Sequence, residues 1–194
     1  MTAVCLVIAL SILAASRASA ADRCGVVEKL TPTVTATREG RRIELSEGDA
    51  VYIGDVITAG SSGYVETRLI DDTLMAFGDS SVVVLNDVRF RVGVSRLDIL
   101  LINGVLWVSI GSIGLVSADA VQLNTPSMLV SSGNATIQIE AGKDGEKLQV
   151  QWLNKGGKVE VYNKRTEEWF TLRESAIAVD NPNKHRYDRF PDRK

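Results

Sequence analysis

The sequence predicts an all-β fold: a single domain of short strands, built as a β-solenoid-like stack or a rolled antiparallel sheet, with a β-sandwich as the alternative. Three observations carry this. From Leu45 to Leu85 apolar residues alternate and are interrupted by Gly48-Asp49, Gly54-Asp55, Gly60, Gly63, Asp71-Asp72-Thr73 and Gly78. A period of two broken by Gly and Asp is the pattern of short strands joined by tight turns. β-branched residues dominate the runs, as strands prefer, and no helical period persists beyond the N-terminal segment.

That segment is read first. Val4 to Ala15 is an apolar run, followed by Arg17 and then Ala18-Ser19-Ala20-Ala21. An apolar stretch ending in small residues predicts a signal peptide over residues 1–20, cut between Ala20 and Ala21. The run is shorter than the roughly 20 residues that a membrane-spanning helix needs. No Lys or Arg precedes it, which departs from the usual leader. Beyond the leader Cys24 is the one cysteine, so neither an internal disulfide nor a thiolate metal cluster is expected; an inert thiol is.

Val34 and Ala36 alternate with threonines, Glu39-Gly40-Arg41 reads as a turn, and Arg42 to Leu45 returns with Ile43 and Leu45 on one face: a hairpin. Val51 and Ile53 share a face, as do Val65, Thr67 and Leu69, while Glu66 and Arg68 point to solvent. Asp71-Asp72 closes the turn before Leu74 to Phe77, and Met75, Phe77, Val83 and Leu85 continue an inward row. In Leu97 to Ile110 the pair Asn103-Gly104 lies between apolar runs, predicting a type I′ hairpin turn with both strands buried and Trp107 in the core. Val121 to Ile139 reads as two strands around Gly133-Asn134, and Lys147 to Val179 as further short strands turning at Asn154–Gly157 and Asn163–Glu168. Loosely similar units around 33–51 and 158–179 suggest coils stacking on coils. Residues 180–194 carry Pro182, Pro191 and excess basic charge without a period, so the domain is expected over 21–179 and a basic tail over 180–194.

The 194 residues, 45% hydrophobic and 24% charged with net charge −2, suit one globular domain and give no case for nucleic acid. The single histidine, His185, falls in the tail, so a histidine-based triad is not expected. Ser61-Ser62 and Ser131-Ser132 have no neighbouring base in the sequence. The turn carboxylates Asp49, Asp55, Asp71, Asp72 and Asp79 could together hold Ca²⁺, but capping their own turns is the simpler use. Asn134-Ala135-Thr136 matches a glycosylation sequon, read as coincidental. Trp107, Trp152 and Trp169 are expected in the core; one left exposed beside Tyr162 could stack on a sugar ring.

These residues resemble the FecR-domain family. Leu45, Gly48, Asp49, Val51, Gly54, Asp55, Ile57, Thr58 and Gly60 match its first motif, and Asp71, Thr73, Gly78 and Ser81 its second. Leu97, Leu101, Gly104 and Val108 match its apolar hairpin, Thr125-Pro126 its T-P motif, and Gly157, Val159, Val161, Asn163 and Leu172 its last strands, so the likeness runs from Val26 to Val179. Asp72 replaces the family's turn glycine, and Gly133-Asn134-Ala135 stands where R-G-T is common. The resemblance implies a periplasmic all-β domain of the type that relays receptor status to a sigma factor. Those members carry a cytoplasmic segment and a transmembrane helix before the domain. A stand-alone exported version is expected here, so the anti-sigma role is not carried over.

The expectation is therefore an exported, non-enzymatic binding domain, periplasmic or secreted, possessing no cofactor, no metal and no membrane span after leader cleavage. Its partner would be an envelope protein in signalling or sensing. A carbohydrate- or peptidoglycan-binding module is the alternative. The motif residues Gly48, Asp49, Gly54, Asp55, Gly60, Asp71, Thr73 and Gly78 are expected to be structural.

Overall fold

A computed structural model describes residues 21–133, 135–142, 145–152, 159–172 and 176–180, with 145–152 and 176–180 described by backbone alone. The expected leader with Ala20, the sequon asparagine Asn134, the turn glycine Gly157, His185 and residues 181–194 lie outside the described residues. In chain order the strands are β1 (Arg23–Leu30), β2 (Val34–Arg38), β3 (Arg41–Glu44), β4 (Ala50–Tyr52), β5 (Val56–Ala59), β6 (Tyr64–Leu69), β7 (Leu74–Arg91) and β8 (Val94–Ser109). A short helix, α1 (Ser112–Val116), precedes β9 (Val121–Asn124), β10 (Met128–Ser132), β11 (Ala135–Gly142), β12 (Gly145–Trp152), β13 (Val159–Asn163), β14 (Glu168–Leu172) and β15 (Ala176–Asp180).

All fifteen of these strands belong to one sheet. Its spine is the long β7–β8 hairpin, which turns at Val92-Gly93 and bends midway. Pairing breaks between Gly78 and Val82, where Asp79 and Ser80 take φ of +42° and +64° and Gly104 on the facing strand takes +99°. The Asn103 amide donates to the Ser80 carbonyl at 3.1 Å, the Val105 N–H donates to Ser81 Oγ at 3.0 Å, and Ser81 Oγ donates to the Gly78 carbonyl. Bulged residues on one strand increase local twist and bend, so both strands change direction at one level.

The bend divides the sheet into two wings. On the tip side of the bend the order is β3-β2-β5-β7-β8-β9-β10-β13-β14; on the other side it is β4-β1-β6-β7-β8-β11-β12-β15. Alternation buries one row from each strand. Ile57, Val83, Leu85, Ile99, Leu123 and Val161 from the first wing join Val27, Val65, Phe77, Leu106, Val108 and Ile137 from the second in a single core. The all-β class holds, in one open, mixed sheet whose described pairings are antiparallel except between β8 and β9. Stacked coils would put neighbouring strands parallel; among the described residues only β8 and β9 pair that way.

Three local expectations are corrected. The Asn103-Gly104 pair is not a hairpin turn: β8 continues through it, and the Gly104 φ of +99° serves the bend instead. Asn-Gly supplies a left-handed backbone equally well to a turn or a bulge, and the facing Gly78–Val82 irregularity selects the bulge. Val121 to Ile139 holds three strands, not two. β9 turns into β10 at Thr125–Ser127, and the chain then crosses from one wing to the other to reach β11, which pairs with β8. Asp180, assigned to the tail, is the last residue of β15 and pairs with Glu146.

The two hairpins read from turn chemistry are present: β2–β3 around Glu39-Gly40 and β6–β7 around Asp71-Asp72. Asp72 itself takes φ +64° where the resembling family has glycine. Beyond Leu85 on β7 and before Leu97 on β8, the long hairpin continues as a two-stranded ribbon with no third strand beside it among the described residues.

Candidate interaction surface

The motif residues build turns. Ser46-Glu47-Gly48-Asp49 and Tyr52-Ile53-Gly54-Asp55 are the same device six residues apart. In each, the Asp N–H donates to the carbonyl three residues back, at 3.1 Å in both cases. The Asp carboxylate accepts from the N–H of that first residue, at 2.7 Å for Asp49 and 2.9 Å for Asp55. Gly48 and Gly54 take φ of +86° and +89°, which the third position of a type II turn requires. The glycine amides then tie the turns to the sheet, Gly48 to the Val27 carbonyl and Gly54 to the Leu85 carbonyl.

Asp55 is also the centre of a buried cluster. Its carboxylate is fully buried and takes a two-pronged ion pair from Arg38, Nε at 2.7 Å and the second guanidinium nitrogen at 2.8 Å. Arg38 in turn lies over the Tyr52 ring, 3.9 Å from its centroid. The Asp55 hydrogen bond holds the Arg38 guanidinium above its ordinary pKa. Nearby Cys24 is fully buried in β1, and burial followed by the Asp55 charge pushes its thiol up to about 12 from 9.0. A group whose folded pKa is raised adds stability at pH below its unfolded value and loses it as pH climbs toward the folded one. Stability should therefore decline between pH 9 and 12, where the unfolded chain gives up this proton and the folded one keeps it. Urea melts across that range should show the decline, and Cys24→Ala should lessen it, most clearly below pH 10, before the raised Tyr64 hydroxyl contributes.

The other motif residues are equally committed. Asp71 accepts from the Thr73 N–H and hydroxyl at 3.2 and 2.8 Å and from the Ile113 N–H at 3.3 Å, fastening α1 to the β6–β7 turn. A Cβ on Gly60 would lie 2.7 Å from Thr33 Oγ1, and one on Gly78 2.7 Å from the Gly63 carbonyl oxygen. Asp49, Asp55 and Asp71 thus close their own turns, and no group of three His, Cys, Asp or Glu able to hold a metal occurs among the described residues.

The exposed surface singles out other residues. Leu106 and Val108 point inward, so period two puts Trp107 on the outside, where it is 45% exposed. The expected core placement of Trp107 is corrected by this alternation, which the continuous apolar run around it hides. Pairing sets Trp107 in a row Glu66–Ala76–Trp107–Gln138 across β6, β7, β8 and β11. Flanking rows are Tyr64–Gly78–Val105–Glu140 and Arg68–Leu74–Ser109–Thr136. The result is an outward sheet face with an aromatic centre, small neighbours on β7 and a charged margin. At that margin the Tyr64 hydroxyl donates to Glu66 at 2.6 Å and Lys29 pairs with Glu66 at 3.2 Å. Together they hold the Glu66 carboxyl below its usual range, while the hydrogen bond to Glu66, with burial, pushes Tyr64 up to about 12.

Trp169, also expected in the core, stands exposed on edge strand β14. Its ring lies 5.1 Å from that of Tyr162, tilted by 36°. This is the exposed tryptophan beside Tyr162 that ring stacking on a sugar requires. Trp152 is on β12, described by backbone alone. Sequence reasoning did not single out Arg38; nothing in a lone strand-end arginine names a partner seventeen residues on.

No family model matches the sequence, and no curated protein matches it. Solved structures do share its architecture. The chain is similar in fold to a candidate anti-sigma factor from Parabacteroides distasonis ATCC 8503. Two crystal structures of that description align with TM-scores of 0.51 and 0.53 at 14% and 13% identity, over 70% of this chain. The chain spans 58% of the length of each. Identity at this level speaks for the fold alone.

Proposed function

We propose that the protein is an exported, non-catalytic interaction domain of FecR type, working in bacterial envelope signalling or sensing. The observation that carries this is the outward sheet face around Trp107. A half-exposed tryptophan with Leu74 and Val105 beside it and charged residues at the margin has the composition of a protein-binding patch. The fold shared with a candidate anti-sigma factor supports the signalling context. The turn hydrogen bonds of Asp49, Asp55 and Asp71 support a structural use for these carboxylates.

A photo-crosslinking residue at Ala76, directly across from Trp107, tests the reading in cells. One discrete adduct should form in the envelope fraction, and Trp107→Arg should abolish it. Adducts no stronger than those from the same residue placed at Glu44 on edge strand β3 would refute the assignment.

Glycan binding is the second reading, favoured by the exposed Tyr162–Trp169 pair. A glycan and muropeptide array without hits dismisses it.

A further inference from the structure

The Trp107 face is complementary to itself. Its middle row across β6, β7, β8 and β11 is Glu66–Ala76–Trp107–Gln138, flanked by Tyr64–Gly78–Val105–Glu140 and Arg68–Leu74–Ser109–Thr136. On the two central strands each large outward side chain sits beside a small one: Trp107 beside Ala76, Val105 beside Gly78 and Leu74 beside Ser109. Trp107 and Leu74 are 45% and 38% exposed, so apolar area lies open at the centre. The charged members of these rows, Glu66, Arg68 and Glu140, stand on the outer strands β6 and β11.

In an isologous pair each surface meets the same surface turned over by a two-fold axis. One such axis lies in this face, parallel to the strands and midway between β7 and β8. It keeps every row and exchanges the strands, so β7 faces β8 and β6 faces β11 of the other copy. Trp107 then meets Ala76, Val105 meets Gly78 and Leu74 meets Ser109, large on small in all three rows. At the margins Tyr64 meets Glu140, Glu66 meets Gln138 and Arg68 meets Thr136, with no like charges opposed. The other in-plane axis, running across the strands along the middle row, would set Trp107 on Trp107 and Glu66 on Glu66. Opposed like charges count against a pairing, so the strand register itself selects the first axis.

We propose that the Trp107 face pairs with the same face of a second copy of this chain, each Trp107 seated over the other copy's Ala76. The inference rests on the reading of this face as an interaction surface and names its occupant. Facing sheets pack about 10 Å apart with their strands about 30° from parallel, a gap that large side chains opposite small ones fill. Four strands by five residues cover roughly 19 Å by 17 Å, at the small end of specific interfaces. The pair is therefore reversible and sensitive to single substitutions at its centre.

The test places a photo-crosslinking residue at Gln138 in the full chain, expressed in cells. The expected product has twice the mass of the chain, contains peptides of this chain alone, and joins position 138 to β6 around Glu66. Ala76→Trp, which sets large on large, should lose the product, and so should Trp107→Ala, which leaves the centre empty. Ala76→Trp combined with Trp107→Ala should restore it, because the axis again sets each tryptophan over an alanine. Both positions face outward, so urea midpoints close to the parent's are expected for all three. The attachment site on the otherwise unaltered chain decides the geometry without any of these variants. Attachment of position 138 to β11 of the second copy overturns the proposal, as does a folded double variant that fails to restore the product. A product with a different protein, abolished by Trp107→Arg, overturns the second copy and leaves the interaction surface standing. No product above that from the same residue at Glu44 refutes both.

Discussion

Asp55→Ala should lower the stability of the domain by about 3–5 kcal/mol, the cost of removing one partner of a buried ion pair. The loss has two parts. Arg38, only 23% exposed, keeps its charge with no carboxylate to meet it, and the Tyr52 N–H loses the acceptor that closes the second Gly-Asp turn. That turn carries the Gly54 bond to the Leu85 carbonyl, and the Leu85 N–H in turn bonds the Asp55 carbonyl, so the damage reaches β7. The contrasting change is Glu28→Ala. Its pair with Arg68 is partly open to solvent on both sides, so the expected cost is about 1 kcal/mol. Urea melts measure both: the Asp55→Ala midpoint should fall severalfold further than that of Glu28→Ala, at an unchanged slope. Equal midpoints would show that the Arg38–Asp55 cluster contributes nothing beyond a surface pair.

Gly104→Ala should cost about 3 kcal/mol, the sum of a left-handed penalty of about 1–2 kcal/mol and overpacking of about 1–3 kcal/mol. A Cβ at this position would meet the Ser81 Cα and Cβ at 2.6 Å each. The Ser81 Oγ is nearer still, and behind it the Ser81 Cα is facing backbone that cannot turn aside; the φ of +99° strains any L-residue as well. Gly93→Ala separates the two contributions. Gly93 takes φ +81° at the ribbon turn with nothing within 4 Å of its would-be Cβ, so it should show the backbone penalty alone. A Gly104→Ala protein as stable as Gly93→Ala would mean that the strands do not approach at the bend.

Most of the fold is legible in the sequence because turn chemistry and alternation are local. Glu39-Gly40, the two Gly-Asp pairs and Asp71-Asp72-Thr73 each fix a reversal within four residues, and the structure places turns at all of them. What local pattern cannot supply is which strands meet. Asn103-Gly104 carries the strongest turn signal in the chain, yet its backbone is spent on a bend whose other half, Asp79 and Ser80, lies more than twenty residues away. Trp107 is misplaced for a related reason. Leu100 to Val108 is apolar almost throughout, so composition says buried on both faces, while the alternation of Leu106 and Val108 alone says Trp107 faces out. The surface reading inherits this limit. Tyr162 and Trp169 are legible as an aromatic pair across a short turn, but the Trp107 face and the β7–β8 ribbon exist only once distant strands are in register.

The central claim is that β7 and β8 form one long bent hairpin from which both wings hang. Cross-strand backbone proton contacts by NMR test it most directly. Contacts joining Phe77 to Leu106 and Leu85 to Ile99, on the two sides of the bend, are predicted together in the same molecule. Contacts closing Ile102 onto Val105, with Leu106 free of Phe77, would place a tight turn at Asn103-Gly104 and contradict the account.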